Sequence, residues 1–411
     1  MKIKKFIQIL TGAAVTASLF LSVVGTADAQ TPVIPTPEIT GTAPATAATP
    51  TSTPVVTGTQ SLCLPYLDGS PSLNCLMAGP AQFLASLAAQ GIVFPPEPMA
   101  IAHPPADLAN IPFSYAKVVP DAVPMYASFE DAEANNIKEM LPAGKVKYVA
   151  LSQKETTPEG TSFYQIANDE WINADTVSKV AAAHFQGYLI NQFPDVPFGW
   201  VLQSEVPSYV APGYASAKTG KIYNRLDMVR CYDSKVVDNM EWVMVGPNEW
   251  IEHRFIARVL NNPTPPAGVT NGRWIEVNLY EQVMAVYDNS KMIFATLVGS
   301  GMAPFYTQPG TFKIYRKVEH EYMTGAFEAD RSDFYYLEQV PFILYYDQSR
   351  ALHGAYWNNY LGNPGSHGCV NLSVADAHWL YNWANVGDTV YVWDPSGKTP
   401  SESPLYSQGA F

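Results

Sequence analysis

The sequence predicts a mainly β protein in which two small, barrel-like repeats precede a larger β-rich domain in the last third of the chain. Residues that favour strands are abundant, with 24 Tyr and 9 Trp, while charged residues make up only 15%. A stretch that alternates apolar and polar residues occurs twice in the middle of the chain. A further alternating stretch places Ile275, Val277 and Leu279 on one face, as in a half-buried strand.

Length and charge narrow the classes of function. The 411 residues are enough for about two to four domains. The formal net charge is −13, so we expect no nucleic-acid partner, because such partners require basic surfaces. The chain also lacks a glycine-rich loop of the kind that holds phosphate groups, so we expect no nucleotide.

Residues 1–29 predict an export signal. Three lysines near the N-terminus precede a mostly apolar run at residues 6–25, and Ala27-Asp28-Ala29 has the small residues of a cleavage site. We therefore expect an exported protein, in the cell envelope or outside the cell. The alternative is an uncleaved signal that anchors the chain in the membrane. Residues 30–60 are rich in Thr and Pro, which predicts an extended linker without a core.

Residues 61–113 form a segment with a pair of cysteines and one predicted short helix. In an exported protein the closely spaced Cys63 and Cys75 favour a disulfide, although two free buried thiols are the alternative. Such a bond would stabilise the fold by about 3 kcal/mol. Residues 82–89 are helix formers that Gly91 would end. Cys231 has no evident partner and is expected to be a buried hydrophobic residue.

The middle of the chain contains an internal repeat, with copies at residues 114–182 and 196–260. Residues 163–172 match residues 242–251, and each stretch predicts a β-hairpin that ends on Trp-Ile. Short strands, tight turns and a late Trp resemble the small Src-homology-3-like barrels that bacteria append to cell-wall enzymes. Two roles remain open: binding of another cell-wall polymer, or packing against the domain that follows.

Residues 261–272, rich in Pro and Gly, predict a linker into a domain at residues 273–395, which a tail at 396–411 follows. Strands are expected at 274–279, 284–287 and 292–298, and a closing strand at 389–393.

One helix is expected before the closing strand at 389–393. It would begin at Ser373, whose spacing to Asp376 is that of a helix cap, and Gly387 would end it. Ala377 and Leu380 would lie on its buried face and pack under the preceding loop.

The residues that indicate chemistry are His353-Gly354 and the run Ser366-His367-Gly368-Cys369-Val370-Asn371. A histidine near Cys369 could take its proton and leave an ion pair, which lowers the pKa of the thiol. Flanking glycines could turn backbone N–H groups toward a developing oxyanion. The residue types alone leave two other interpretations open, which are structural residues and a zinc site. No carboxylate or second cysteine lies at the spacing of a zinc ligand.

These motifs, with Trp274-Ile275-Glu276-Val277-Asn278-Leu279 and Pro309-Gly310-Thr311-Phe312-Lys313-Ile314, resemble the YkuD-type L,D-transpeptidase family. The resemblance implies a β-sandwich with Cys369 as nucleophile and His353 as base. It also implies that the Gly354 carbonyl orients the imidazole and that the N–H groups of Gly368 and Cys369 stabilise the oxyanion. The hydroxyl of Tyr335 or Tyr336 could assist these N–H groups. The residues expected to bind substrate or shape its loop are Tyr335, Tyr336, Trp357, Ser366, His367 and Asn371.

The resemblance further implies a substrate and a reaction. The acyl donor would be a tetrapeptide stem of peptidoglycan, whose terminal D-alanine leaves, and an amine of a second stem would resolve the thioester. Neither a metal nor another cofactor is expected. Two alternatives remain: an L,D-carboxypeptidase that uses water as acceptor, and a non-catalytic adaptor that binds the cell wall.

Overall fold

The computed structural model describes residues 61–62, 75–76, 99, 101–192, 196–401 and 406. The predicted export signal, the Thr/Pro-rich linker, Cys63 and the helix predicted at residues 82–89 lie outside these residues. The first strands are short: Ser61–Leu62 (β1), which pairs in parallel with Cys75–Leu76 (β2), and Ile101–Ala102 (β3). Within the described ranges, no helix has the length and apolar character needed to span a membrane.

Two units of similar topology follow, and the first of them begins at Ser114. Its elements are Ser114–Val118 (β4), Val123–Tyr126 (β5), the helix Phe129–Glu133 (α1), Glu139–Leu141 (β6), Val146–Leu151 (β7), Lys154–Thr156 (β8), Ser162–Gln165 (β9), Trp171–Asn173 (β10) and Val177–Val180 (β11). A separate strand, Tyr188–Ile190 (β12), connects it to the second unit.

The second unit ends at Val259. Its strands are Phe198–Val201 (β13), Val206–Tyr209 (β14), Lys218–Tyr223 (β15), Met228–Arg230 (β16), Asp233–Val237 (β17), Met240–Gly246 (β18), Glu249–Glu252 (β19) and Ile256–Val259 (β20).

The two units have the same strand order. One sheet runs β6-β5-β10-β9-β8 in the first unit and β15-β14-β19-β18-β17 in the second. In addition, β4 lies between β11 and β7, as β13 lies between β20 and β16. Trp171 and Trp250 occupy equivalent hairpin positions and are both buried. The repeat in the sequence is therefore also a repeat in the fold. Cys231 is a free, buried residue in the core of the second repeat, as predicted.

The last third of the chain contributes two sheets and a helix. Its elements are Trp274–Asn278 (β21), Val283–Asp288 (β22), Lys291–Leu297 (β23), Gly310–Lys313 (β24), Arg316–Gly325 (β25), Tyr335–Asp347 (β26), Arg350–Gly354 (β27), Val370–Leu372 (β28), the helix Val374–Trp383 (α2) and Thr389–Trp393 (β29).

Apolar side chains of the two sheets meet in one core. One sheet has the order β24-β29-β21-β22-β23-β12-β3, and the other contains β26-β27-β28 with β25 paired to β26. Val277 and Val286 of the first sheet share a core with Leu344 and Leu372 of the second, and Leu380 of α2 joins them. The mainly β fold, with a short helix after the cysteine loop, is thus confirmed.

Local sequence signals placed several elements correctly. The turn between β22 and β23 has positive φ at Asn289 and Ser290, and β29 spans the predicted residues. Helix α2 begins as predicted, with Ser373 Oγ accepting the Asp376 N–H at 3.2 Å. The prediction that Gly387 ends this helix was wrong. The backbone is already extended at Ala384, and Gly387, at φ +95°, lies in the turn before β29.

Both repeats are joined closely to the last domain. The first joins through β7, which pairs in parallel with β26, and a Cβ on Gly144 would lie 2.5 Å from the Phe334 carbonyl oxygen. The second joins through a buried ion pair in which Arg258 Nη2 lies 2.7 Å from a carboxylate oxygen of Glu281. Strands β3 and β12 extend a sheet of the last domain, although both lie outside the residues predicted for that domain.

Candidate active site

Parallel pairing of β27 with β28 positions the cysteine and the histidine. The register aligns Leu352 with Val370 and His353 with Asn371. Cys369 directly precedes β28, and its side chain and that of His353 line the same cavity. The structure thus brings together two residues that the sequence separates by a long loop.

His353 is buried at 2% exposure, and its orientation is fixed by its own neighbour. Its Nδ1 lies 3.1 Å from the carbonyl oxygen of Gly354. A carbonyl can only accept, so Nδ1 carries the proton and Nε2 of the neutral ring is left as a base. Burial lowers the pKa of His353 to about 4, even though the bond to Gly354 favours the protonated ring. The imidazole is therefore neutral at physiological pH.

Cys369 is a free, partly exposed thiol. Its Sγ donates to the Ser349 carbonyl at 3.8 Å. Burial raises the pKa of Cys369, although the Ala351 N–H and the Arg350 guanidinium both favour the thiolate. Both pKa shifts run against the expected ion pair with a lowered thiol pKa. The resting cavity therefore holds a neutral thiol and a neutral imidazole, and the thiolate would form during attack.

Ser366 fixes the turn before the cysteine. Its hydroxyl donates to the Cys369 carbonyl and accepts the Gly368 N–H at 3.1 Å. Gly368 has φ +117°, a conformation that favours glycine. Because its N–H is already bonded within the turn, the prediction that it points at the substrate was wrong for this arrangement. The N–H of Cys369 is the remaining donor of the predicted pair.

The two adjacent tyrosines of β26 have different surroundings. The ring of Tyr335 is stacked on His367 at 5.5 Å and lines the same cavity as Cys369. Tyr336 points the opposite way into the core of the first repeat, where its hydroxyl donates to Glu338 at 2.9 Å. Assigning Tyr336 to the site was therefore wrong, because strand alternation allows only one of the pair to reach it.

His367 is held by aromatic rings rather than by the thiol. It stacks on Phe327 at 5.8 Å and on Tyr335, and its Nε2 lies 4.0 Å from a carboxylate oxygen of Asp333. Burial lowers the pKa of His367, while Asp333 acts in the opposite direction. These contacts suit a residue that shapes the loop.

A cavity of about 650 Å³ opens over the thiol. It brings together most of the predicted residues: Cys369, His353, Tyr335, Trp357, Ser366, His367 and Asn371. The ring of Trp357 lies 5.7 Å from that of His353, so the indole forms the wall beside the base. Asn371 is buried and holds its strand to Gly299 through two backbone bonds of 2.9 Å.

Two further residues, which the sequence did not predict, support the site. Arg350 donates to Asp347 at 2.7 Å, and its Nε would lie 3.2 Å from a Cβ at Gly368, so it packs directly behind the turn. Thr307 donates to the Gly368 carbonyl at 2.9 Å and accepts the Gly301 N–H at 2.8 Å. Neither residue belongs to a local pattern that could have identified it. Among the residues that the structure describes, no three His, Cys, Asp or Glu side chains group as metal ligands would.

Comparison with protein families identifies the domain that holds this cavity. Residues 272–392 match the model of the YkuD family, described as the L,D-transpeptidase catalytic domain. These residues form a YkuD domain. The resemblance inferred from His353-Gly354 and the cysteine motif is thus confirmed. A search of curated proteins found no match.

Solved structures that resemble the YkuD domain and its surroundings include three L,D-transpeptidases. The enzyme from Stackebrandtia nassauensis is 31% identical, over 33% of this chain and 60% of that one, with a TM-score of 0.26. A mutant enzyme from Enterococcus faecium is 25% identical, over 30% and 50%, with a TM-score of 0.28. The enzyme from Mycobacterium smegmatis is 16% identical, over 52% and 93%, with a TM-score of 0.29. The chain thus spans less than two thirds of the first two structures.

Proposed function

We propose that the protein is an L,D-transpeptidase that acts on stem peptides of peptidoglycan. The observation that carries the proposal is that Cys369 and His353 line one cavity, most of whose wall belongs to the YkuD domain. The predicted export signal supports action outside the cytoplasm, where such a substrate would be found.

The first half-reaction forms a thioester. His353 Nε2 takes the thiol proton as Cys369 Sγ attacks the carbonyl carbon before the terminal D-alanine. The Cys369 N–H stabilises the oxyanion, and one such donor commonly lowers the barrier by about 3 kcal/mol. The carbon–nitrogen bond then breaks, and the imidazolium returns the proton to the leaving amine. D-alanine departs and the remaining tripeptide stays on the sulfur.

The second half-reaction decides between the enzyme classes. An amine from a second stem attacks the thioester, His353 accepts its proton, and the proton returns to the departing sulfur. If water attacks instead, the product is a tripeptide and the activity is that of an L,D-carboxypeptidase. The assembled thiol and imidazole argue against the third interpretation, a non-catalytic wall-binding adaptor.

The repeats are proposed to support the catalytic domain rather than to act as separate binding modules. The first shares a sheet with β26, and the second is joined by the buried pair of Arg258 and Glu281. Binding of a second cell-wall polymer would need a surface left free by these contacts, and pull-down of insoluble peptidoglycan by the isolated Cys369→Ala chain would detect it.

Mass spectrometry of products made in ¹⁸O-labelled water tests the proposal. The purified chain without its export signal is incubated with disaccharide-tetrapeptides. A transpeptidase gives a cross-linked dimer that has lost one D-alanine and carries no label. A carboxypeptidase gives a tripeptide with ¹⁸O in its new carboxylate. Unchanged tetrapeptide, with the Cys369→Ala variant as the blank, would refute both activities.

A further inference from the structure

Strand β7 of the first repeat forms part of the wall of the catalytic cavity. Its parallel pairing with β26 aligns Val146 with Tyr335 and Tyr148 with Leu337. Residues in register share a face, and all four side chains line the cavity that contains Cys369. The site is thus built from two parts of the chain that are far apart in sequence.

Tyr148 has the surroundings of a residue available to a ligand. Its ring lies 6.2 Å from that of Trp357, which in turn lies 5.7 Å from the ring of His353. The side chain is only half-buried, and no partner for its hydroxyl is found among the described residues. Burial raises the pKa of Tyr148, so the phenol keeps its proton and can donate a hydrogen bond.

The strand that carries Tyr148 is held firmly on both sides. The neighbouring Lys147 is buried, and its Nζ donates to the carbonyls of Pro120, Asp121 and Pro142 at 2.8, 2.7 and 3.1 Å. On the side of the catalytic domain, Glu338 accepts the Ala150 N–H at 2.8 Å. A ring on such a strand can contact a substrate without first losing much conformational freedom.

We propose that Tyr148 binds the peptide donor, so that the first repeat contributes directly to substrate recognition. This rests on the proposed function. The ring would pack against an apolar part of the tetrapeptide stem beside Trp357, and the hydroxyl would donate to one of its peptide carbonyls. The repeat is therefore part of the active site as well as a support for it.

The test compares Tyr148→Phe and Tyr148→Ala with Tyr164→Ala. Tyr164 is another half-buried tyrosine of the first repeat, but it does not line the cavity. Each variant is assayed for D-alanine release from a tetrapeptide stem and for alkylation of Cys369 by iodoacetamide, which needs no stem-binding surface. We expect kcat/KM for the stem to fall about tenfold in Tyr148→Ala and about threefold in Tyr148→Phe, mainly through KM. Alkylation of both should stay within about twofold of wild type, and Tyr164→Ala should match wild type in both assays.

Each other result counts against a specific statement. If the wild-type chain releases no D-alanine, the proposed function fails and the role of Tyr148 fails with it. If the wild type is active and both Tyr148 variants keep its kcat/KM, only the role of Tyr148 is overturned. An equal loss of donor turnover and alkylation would show a structural effect and also overturn it. Should Tyr148→Ala unfold, Tyr148→Phe, which retains the ring contacts, decides between these outcomes.

Discussion

Cys369 and His353 line one cavity, and Cys369 stands two residues before Asn371, the β28 residue that is aligned with His353 of β27. Both groups are neutral at rest, because burial raises the pKa of the thiol and lowers that of the imidazole. At rest the site therefore contains a neutral thiol and a neutral base rather than a preformed ion pair. The first two predictions follow from this.

Replacing the nucleophile should abolish all covalent chemistry. Cys231, the other thiol with a described side chain, is buried in the second repeat, so it cannot substitute for Cys369. Cys369→Ala should therefore lose both product formation and covalent labelling by a carbapenem, as measured by intact-protein mass spectrometry. Cys231→Ala is the matched control and should label as the wild type does. A labelled Cys369→Ala chain would show that the nucleophile is another residue.

The two histidines should contribute differently to the chemical step. His353→Ala should slow acylation by about 10²- to 10⁴-fold, since it removes the base. The variant then depends on spontaneous thiolate, so its rate should rise with pH up to the raised pKa of Cys369. The wild-type rate should instead fall only towards the His353 pKa of about 4. His367→Ala should cost less, because that ring is held by Phe327 and Tyr335.

The pH dependence of Cys369 acylation in both histidine variants provides the measurement. A profile that keeps the wild-type shape in His353→Ala and shifts in His367→Ala would reverse the two assignments.

Local patterns in the sequence were sufficient for the elements whose signals are local. The positive-φ turn at Asn289 and Ser290 and the Ser373 cap depend on neighbouring residues. Alternation predicted strand β21 correctly, but not its burial, because Glu276 and Asn278 are buried as well as the apolar residues. The cysteine motif likewise holds its residues close together, so the resemblance identified the family of the domain without a structure. Gly387 shows the limit of local signals, since the helix ends at Ala384, before the glycine is reached.

Most of the contacts that could not be predicted from the sequence depend on parts of the chain that are far apart. Tyr335 and Tyr336 are equivalent in sequence, and only the register of β26 decides which of them faces the cavity. Tyr148 reaches the same cavity because β7 pairs with β26 across two domains. The sequence favoured the Gly368 N–H as an oxyanion donor, because it does not show that the Ser366 hydroxyl accepts this N–H. None of these contacts has a signature within a short window of sequence.

The buried pair of Arg258 and Glu281 should stabilise the joint between the second repeat and the catalytic domain. Both side chains are fully buried. Removing one partner of such a pair typically costs about 3–5 kcal/mol, so Glu281→Gln should lower the free energy of unfolding by about that amount. Glu321→Gln, which breaks a partly exposed pair with Arg316, is the control and should cost at most about 1 kcal/mol. Urea denaturation at neutral pH measures both, and equal effects would contradict the assignment.

Acid should weaken the same joint. Burial alone would raise the pKa of Glu281, but Arg258 and His253 hold it well below its usual range. A lowered carboxyl pKa contributes stability that is present above the unfolded-state value of about 4.3 and is lost as the pH falls further. The stability difference between the wild type and Glu281→Gln should therefore shrink below about pH 4. A difference that stays constant down to pH 3 would be inconsistent with this coupling.

Glu338, at the joint between the first repeat and the catalytic domain, should make the stability of the fold depend on pH in the opposite direction. Burial raises its pKa to about 7, although the N–H groups of Ala150 and Ala167 and the Tyr336 hydroxyl favour the carboxylate. The folded chain keeps this proton where the unfolded chain, with a pKa of about 4.3, has lost it. Glu338 therefore costs no stability below about pH 4, and its cost grows as the pH rises to about 7, to on the order of 3 kcal/mol.

Glu338→Gln, which cannot ionise, should remove this cost while keeping an oxygen for the Ala150 N–H. The measurement is the free energy of urea unfolding of wild type and variant at pH 4.5, 6 and 7.5. We expect the free energy of unfolding of the variant to increase relative to that of the wild type as the pH rises. The reason is that only the wild type has a carboxyl group that must be either protonated or buried as an anion. Glu155→Gln, an exposed change in the same repeat, should track the wild type throughout. If the variant and the wild type keep a constant difference over this range, Glu338 has an ordinary pKa in the folded chain.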